Sequence, residues 1–162
     1  MKDNKPIFIA DSGKNPTSTT FILFWQIARE VSKYTDSFLH KRANVSTIHM
    51  IVLQSIEHNN GIMNPSEIAN WTNTMRHNVT TLIQRMKKEG LIRVERDNKN
   101  RRKVNVMITD KGRLVLKNAL PIAQEAIDQV MSSISNSDIP PFQRVLNLMR
   151  ENADDGLGRI TR

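Results

Sequence analysis

The sequence predicts a mainly α-helical chain that contains one small β-hairpin. Apolar residues recur at helical spacing in most segments, and the clearest helix carries Val79, Leu82 and Met86 on one face. Two strand-like runs rich in Val and Ile follow it, LIRVER at 91–96 and RKVNVMI at 102–108. A helix followed directly by a basic hairpin is the outline of a winged helix. We therefore expect a winged helix-turn-helix flanked by N- and C-terminal helices.

Positive charge is concentrated in residues 73–103, which cover this helix and hairpin. The segment holds ten Lys or Arg residues and three Asp or Glu residues, a net charge of +7, while the whole chain carries +8. The helix face opposite the apolar stripe is polar around His77, Thr81 and Gln84. Such a concentration of positive charge is typical of proteins that bind duplex DNA. A solvated basic face on an ordinary helix is the alternative interpretation.

Composition limits the class of protein. The chain has 162 residues, 38% of them hydrophobic and 25% charged, which is ordinary for one globular domain. No apolar run approaches the roughly 18 residues that span a bilayer, and the N-terminal run IFIA is too short for a signal peptide. We therefore expect a cytoplasmic protein that does not bind membranes. The absence of cysteine excludes disulfides, thiolate metal ligands and thiol redox sensing.

The N-terminal third is expected to form an arm and a long helix. Residues 1–17 are polar and contain two prolines, so we expect a flexible arm. Residues 18–42 are apolar on most of the helix circumference, which requires cover on two sides. In so small a chain, a partner subunit is the natural second cover. Core or interface packing is the preferred interpretation of the large apolar side chains, but four of them are candidates for lining a ligand cavity: Phe24, Trp25, Met50 and Leu53.

Capping signals predict the next three helices. Ser46 is a candidate N-cap for the second helix. The run from Asn64 to Glu67 has the order of a capping box with Pro at the first helical position. Asn73 or Thr74 is the candidate N-cap of the basic helix, and Gly90 lies where a C′ glycine ends a helix. A short helix, a tight turn and a longer helix with a polar outward face predict a helix-turn-helix.

The C-terminal third is predicted to be helical. A long helix is expected from Thr109 to about residue 134, with Pro121 bending it, and a last helix at about 140–152. The predicted division of the chain is an arm at 1–17, a single domain at 18–152 and a frayed tail at 153–162. Within the domain, the winged helix occupies about 44–108 and the dimerisation helices occupy about 18–42 and 109–152.

Three motifs of this chain occur in the same order in a known family. They are Ser66-Glu67-Ile68-Ala69, the run MKKEGLI at 86–92, and a hairpin that ends in Asn100-Arg101-Arg102 before Thr109-Asp110-Lys111-Gly112. The last is similar to a D-x-R…LT-x-x-G signature. With these motifs, residues 63–112 resemble the MarR family of transcriptional regulators. The likeness extends more weakly over residues 20–150.

The resemblance implies a homodimer held by the N- and C-terminal helices, with one winged helix in each subunit. It also implies a recognition helix in the major groove and a wing tip in the flanking minor groove. Many members bind small aromatic or phenolic ligands between the dimerisation region and the winged helix. We therefore expect a ligand-responsive repressor that acts as a homodimer on a palindromic operator. One departure is Asn100, which replaces the signature Asp. Because an amide accepts only a neutral hydrogen bond, the placement of Arg102 is open.

The candidate DNA-binding residues lie on the basic helix and at the hairpin tip. His77 and Thr81 are on the outward face of the helix, and Arg76 and Thr80 are on its flanks. Their donors and acceptors suit base edges, whereas arginines at a wing tip suit phosphates or a narrow minor groove. The full candidate set is Asn73, Thr74, Arg76, His77, Asn78, Thr80, Thr81, Arg85, Lys99, Arg101 and Arg102.

Rival functions have weaker support. The four histidines are scattered without an associated Asp or Ser signature, so we expect no enzymatic activity. A metal-responsive regulator would need three or four converging ligands, for which His40, His49 and Glu57 are the available side chains. We expect no metal and no cofactor. A winged helix that binds protein instead of nucleic acid is a further alternative.

Overall fold

The computed structural model describes residues 15–72, 76–96 and 104–160. Within these ranges the chain forms six helices and one three-stranded sheet, and the mainly helical winged-helix prediction is confirmed. The elements are α1 (Pro16–Ala43), α2 (Thr47–His58), β1 (Ile62–Met63), α3 (Pro65–Thr72), α4 (Arg76–Lys88), β2 (Ile92–Arg96), β3 (Val104–Ile108), α5 (Asp110–Met131) and α6 (Ile139–Ile160).

The predicted caps determine where α2 and α3 begin. Ser46 Oγ accepts a hydrogen bond from the amide of His49 at 3.3 Å, which confirms it as the N-cap of α2. The capping box of α3 is also confirmed. Asn64 Oδ1 accepts from the amides of Ser66 and Glu67 at 2.9 and 3.0 Å, and Glu67 Oε2 accepts from the Asn64 amide at 2.7 Å. Each bond satisfies a donor that a helix start would otherwise leave free.

The sheet contains a strand that the sequence did not predict. β1 pairs antiparallel with β3, which also pairs with β2, so the strand order is β1-β3-β2. Residues Asn60 and Gly61 have φ of 57° and 79° and turn the chain from α2 into β1. At two residues, β1 is too short to show the alternation by which strands are recognised.

The core lies between α2, α3, α4 and the sheet. Among its fully buried side chains are Leu53 and Ile56 of α2, Ile68 of α3, Met86 of α4 and Val106 of β3. Each such side chain contributes roughly 1.5–3 kcal/mol through removal from water. The predicted inward face of α4 is confirmed, since its four apolar residues are all buried: Val79, Leu82, Ile83 and Met86.

The C-terminal helices differ from the prediction in their ends. α5 ends at Met131, and α6 continues to Ile160, where we expected a helix end near 152 and a frayed tail. Gly156 and Gly158 weaken a helix by about 1 kcal/mol each but do not block its backbone hydrogen bonds as proline does.

The described chain forms two compact units, which divide after Ile127. No helix in the described ranges is both long and apolar enough to cross a membrane.

Candidate nucleic-acid interface

The orientation of α4 follows from its burial. Its apolar face is packed into the core, and the side chains of its other face are exposed to solvent. The predicted outward residues His77 and Thr81 are both exposed. Further candidate residues on this helix are exposed as well, namely Asn78, Thr80 and Arg85. The helix therefore presents amide, hydroxyl, imidazole and guanidinium groups on one accessible surface.

The C-terminal end of α4 is closed by a Schellman turn. Gly90 has a φ of 73°, a conformation that favours glycine, and its amide donates to the carbonyl of Lys87 at 3.0 Å. The amide of Leu91 donates to the carbonyl of Met86 at 3.0 Å. These two bonds confirm Gly90 as the predicted C′ residue. Lys111 Nζ then donates to the carbonyl of Glu89 at 2.7 Å, adding a positive charge at the negative end of the helix dipole.

Thr109 and Gly112 join the end of α4 to the start of α5. The Thr109 hydroxyl lies 2.7 Å from the carbonyl of Gly90 and 3.0 Å from that of Leu91, and it accepts from the Gly112 amide at 3.0 Å. A Cβ on Gly112 would lie 2.2 Å from the Leu91 carbonyl oxygen, so only glycine fits there. The motif at 109–112 therefore positions the basic helix. The sequence identified this motif, but its role becomes apparent only when the two segments are in contact.

The described part of the wing consists of its two strands. β2 and β3 pair from Ile92 with Ile108 to Arg96 with Val104. The hairpin tip, residues 97–103, lies outside the described residues, and with it the candidates Lys99, Arg101 and Arg102 and the substituted Asn100. Asn73 and Thr74 also lie outside the described residues, and Arg76 is described only in its backbone.

The four candidate ligand-contacting residues occupy different environments. Met50 and Leu53 belong to the buried core, whereas Phe24 and Trp25 on α1 are 37% and 53% exposed. Trp25 lines a groove of about 710 Å³ between α1 and α2. This volume is in the usual range for small-molecule sites. The groove is also lined by Ala28, Arg29, Ser32, Lys33, Asp36, Thr47, Ile48 and Ile51.

The histidines and acidic residues considered for metal binding are not clustered. Within the described ranges, no three His, Asp or Glu side chains are close enough to hold a metal ion. Glu57 is paired with Arg113, and His49 Nδ1 lies 3.5 Å from Glu89 Oε2. The two contacts connect α2 to α5 through Arg113 and to the end of α4 through Glu89.

Burial changes the ionisation of the His49 imidazole. His49 is 7% exposed, and burial lowers its pKa below the ordinary value of 6.5 because a charged imidazole would lose its hydration. Glu89 raises the pKa, Arg85 lowers it and Asp36 raises it, but burial is the largest effect. His49 is therefore mainly neutral at neutral pH.

Comparison with known proteins supports the fold and the resemblance to the MarR family. The sequence profile of the MarR family matches residues 43–103. The transcriptional repressor MprA of Escherichia coli strain K12 is 25% identical over 105 residues, a match that spans 65% of this chain and 58% of the repressor. The chain thus matches less than two thirds of the length of this relative.

Two solved structures show the same fold. The organohalide-sensing regulator RdhR-CbdbA1625, in its 2,4-dichlorophenol-bound form, has a TM-score of 0.79 with 20% identity and covers 90% of this chain and 86% of its own. Sco3205 of Streptomyces coelicolor, a MarR family regulator in complex with DNA, has a TM-score of 0.79 with 17% identity. The match covers 86% of this chain and 92% of Sco3205. Together with the profile match over residues 43–103, these findings confirm the winged-helix fold and the resemblance to the MarR family of transcriptional regulators.

Proposed function

We propose that this protein binds duplex DNA sequence-specifically and regulates transcription, with α4 entering the major groove. The observation that carries the proposal is the polar, solvent-exposed face of α4 within a segment, residues 73–103, of net charge +7. Positive charge provides affinity for the phosphate backbone, and neutral polar side chains provide contacts with base edges. Both properties are needed for specific binding, and both are found in this segment.

The proposed interface divides into base-reading and phosphate-binding groups. Five residues in the first turns of α4 are proposed to read base edges: Arg76, His77, Asn78, Thr80 and Thr81. Three other candidates of the same segment are proposed to bind phosphates: Asn73, Thr74 and Arg85. The wing-tip residues Lys99, Arg101 and Arg102 are proposed to bind phosphates or a narrow minor groove, whose negative potential attracts cations.

We further propose a homodimeric repressor that recognises a palindromic operator. The large exposed apolar surface of α1, which includes Leu23, Trp25 and Ile27, supports a second copy as its cover. Two copies of α4 related by a two-fold axis would read inverted half-sites. The similarity to a transcriptional repressor favours repression over activation.

A small aromatic effector is proposed to bind the groove between α1 and α2. The groove combines the aromatic ring of Trp25 and the apolar Ile48 and Ile51 with two cations, Arg29 and Lys33, and one carboxylate, Asp36, which accepts from the Thr47 amide. Because the charged side chains of this lining sum to +1, the groove suits an aromatic ring that carries a negative charge. One structure with the same fold contains 2,4-dichlorophenol, which is consistent with an effector of this class. Of the four candidates from the sequence, Trp25 is the one proposed to contact it.

Selection of bound sequences from a random duplex library tests the proposed function. We expect a palindromic consensus, which would establish DNA binding and dimeric recognition together. Enrichment of a single, non-repeated half-site would contradict the dimeric operator, and absence of any enrichment would contradict specific DNA binding. Because the library carries no assumed operator, the result does not depend on the identity of the regulated genes.

A further inference from the structure

His49 makes a contact between α2 and the C-terminal end of the proposed recognition helix. Its imidazole is almost fully buried, and its Nδ1 lies 3.5 Å from the carboxylate of Glu89, the residue that directly follows α4. The backbone amide of His49 is fixed by the N-cap Ser46. The side chain therefore connects a fixed helix start to the end of α4.

The surroundings of the ring favour the neutral form. Glu89 can only accept a hydrogen bond, so the proton of a neutral ring is favoured on Nδ1, which leaves a lone pair on Nε2. Nε2 is buried and has no hydrogen-bond partner among the described residues. Protonation would place a buried N–H where no acceptor is described, which is costly. The lowered pKa of His49 has the same physical origin, because burial is its main cause.

A cavity beside the ring offers a second position for the charged form. A pocket of about 570 Å³ is lined by His49 together with Arg85, Glu89 and residues of α1, of the segment between α1 and α2, and of α5. The charged or titratable groups that line it are His40 from α1, Arg85 and Glu89 at the end of α4, and Lys111 from α5. Asp36 from α1 also acts electrostatically on the His49 imidazole. Water in this pocket can hydrate an imidazolium that turns out of its buried position. Such a rotation would remove the contact with Glu89.

We propose that His49 is a proton-sensitive contact that holds the recognition helix in its DNA-binding position at neutral pH and releases it in acid. The proposal rests on the proposed DNA-binding function and adds a regulatory input to it. The Glu89 amide donates to the Arg85 carbonyl and the Glu89 carbonyl accepts from Lys111 Nζ, while the Glu89 carboxylate contacts His49. Loss of the His49 contact therefore loosens one of several restraints, and it weakens DNA binding without unfolding the winged helix.

The sign of the pH effect on stability follows from the lowered pKa. Because the folded chain holds the His49 proton more weakly than the unfolded chain, acid favours unfolding. The contribution of His49 is present above pH 6.5 and is lost as the pH falls through 6.5 toward the lower pKa of the folded state. This part of the proposal is measurable by urea unfolding in the absence of DNA.

The test compares DNA affinity across pH for the full chain and three variants. Fluorescence anisotropy with the selected duplex, at fixed ionic strength from pH 8 to pH 5.5, would measure the dissociation constant. We expect the wild-type affinity to fall by at least about fivefold in acid, the lower end of typical coupling between two sites. His49→Gln cannot titrate and should show little change. His58→Gln removes an exposed histidine from the other end of the same helix and should behave as wild type.

A third variant makes the test independent of the folding of His49→Gln. Glu89→Gln removes the charge that raises the pKa of His49, so the acid transition should move to lower pH. A wild-type pH dependence retained in both His49→Gln and Glu89→Gln would overturn the proposal. An affinity that rises in acid for the wild type and all three variants would also overturn it. Failure to bind DNA at pH 8 would instead contradict the proposed function, and the urea measurement would then decide whether His49 is acid-sensitive.

Discussion

At the scale of single residues, the junction between α4 and α5 shows how small groups determine the position of a functional helix. Thr109 uses one hydroxyl to contact two carbonyls and one amide, and Gly112 provides the space for the Leu91 carbonyl to approach. These contacts connect the end of the proposed recognition helix to the helix that leads to the C-terminal unit. Neither residue needs to touch DNA to affect DNA binding.

Replacing Gly112 with alanine should destabilise the winged helix. Alanine is the better helix former by about 1 kcal/mol, but the added Cβ would lie 2.2 Å from a backbone oxygen that cannot move without disrupting the end of α4. We expect the steric effect to prevail, with a net loss of about 2 kcal/mol in the free energy of unfolding, as is usual for overpacked sites. Urea denaturation followed by circular dichroism would measure it.

Gly158→Ala is the matched control, because this glycine is also helical and a Cβ there would meet nothing within 4 Å. It should be neutral or stabilising by up to about 1 kcal/mol. Equal effects of the two substitutions would show that helix propensity, and not the contact with Leu91, governs the response at position 112.

At the scale of elements, the sequence predicted those features that depend on neighbouring residues. The N-caps Ser46 and Asn64, the C′ Gly90 and the inward face of α4 all follow from local patterns, and all are confirmed. β1 could not be predicted because two residues carry no periodic pattern, and their pairing with β3 depends on a segment more than forty residues away. The sequence predicts an end of the last helix near residue 152, whereas α6 continues through Gly156 and Gly158 to Ile160.

The sequence predicted the exposed face of the candidate DNA interface but not the lining of the candidate ligand groove. The exposed face of α4 could be read from its spacing, because burial of one face fixes the other. The four candidate ligand residues could not be separated from the core, since an apolar side chain that fills the core and one that lines a groove have the same local pattern. Only the packing of α1 against α2 distinguishes Trp25 at the groove from the buried Leu53.

The proposed division between helix and wing predicts different effects on DNA binding. Replacing His77 or Thr81 with alanine should weaken binding to the selected site by about 1–3 kcal/mol if a base contact is lost, with little effect on scrambled DNA. Replacing Arg101 should weaken both and reduce the slope of log affinity against log salt by about one unit. Affinities for consensus and scrambled duplexes at several salt concentrations would test this.

The specific-to-scrambled affinity ratio is the informative quantity in that experiment. Lys87→Ala, which removes an exposed charge from the last turn of α4, provides a control for a general loss of positive charge. An unchanged ratio in the helix variants, combined with a ratio abolished by Arg101→Ala, would contradict the proposed division of roles.

At the scale of the whole molecule, the most informative feature is apolar surface that the single chain leaves exposed. In α1, which has 28 residues, Leu39 is the one buried residue, and α6 has no buried residue along its 22 described positions. Long helices in proteins gain most of their stability from packing of an apolar face. Side chains such as Leu23 and Ile27 on α1 and Phe142 and Leu148 on α6 are therefore expected to pack against a second copy.

Sedimentation should show a stable dimer at micromolar concentration. The interface of this dimer is expected to bury more than about 2,000 Å², as is usual for obligate dimers. Replacing both Leu23 and Ile27 with glutamate would place two charges, one turn apart, in the expected interface and should abolish the dimer. Ser37→Glu adds one charge at an exposed polar position of the same helix and should leave the dimer intact. A folded wild-type monomer at this concentration would contradict the proposal.

A dimer with two rigidly held recognition helices also predicts the spacing of its operator. Two copies of α4 related by a two-fold axis should read half-sites about one helical turn, roughly 10 bp, apart. Inserting five base pairs at the centre of the selected palindrome would rotate one half-site by about half a turn, onto the opposite face of the duplex. Affinity should then approach the non-specific value, which for such proteins is about 10³-fold or more weaker. The same five base pairs added outside the palindrome should leave the affinity unchanged. Undiminished affinity for the duplex with the central insertion would mean that the two recognition helices do not bind as one rigid unit.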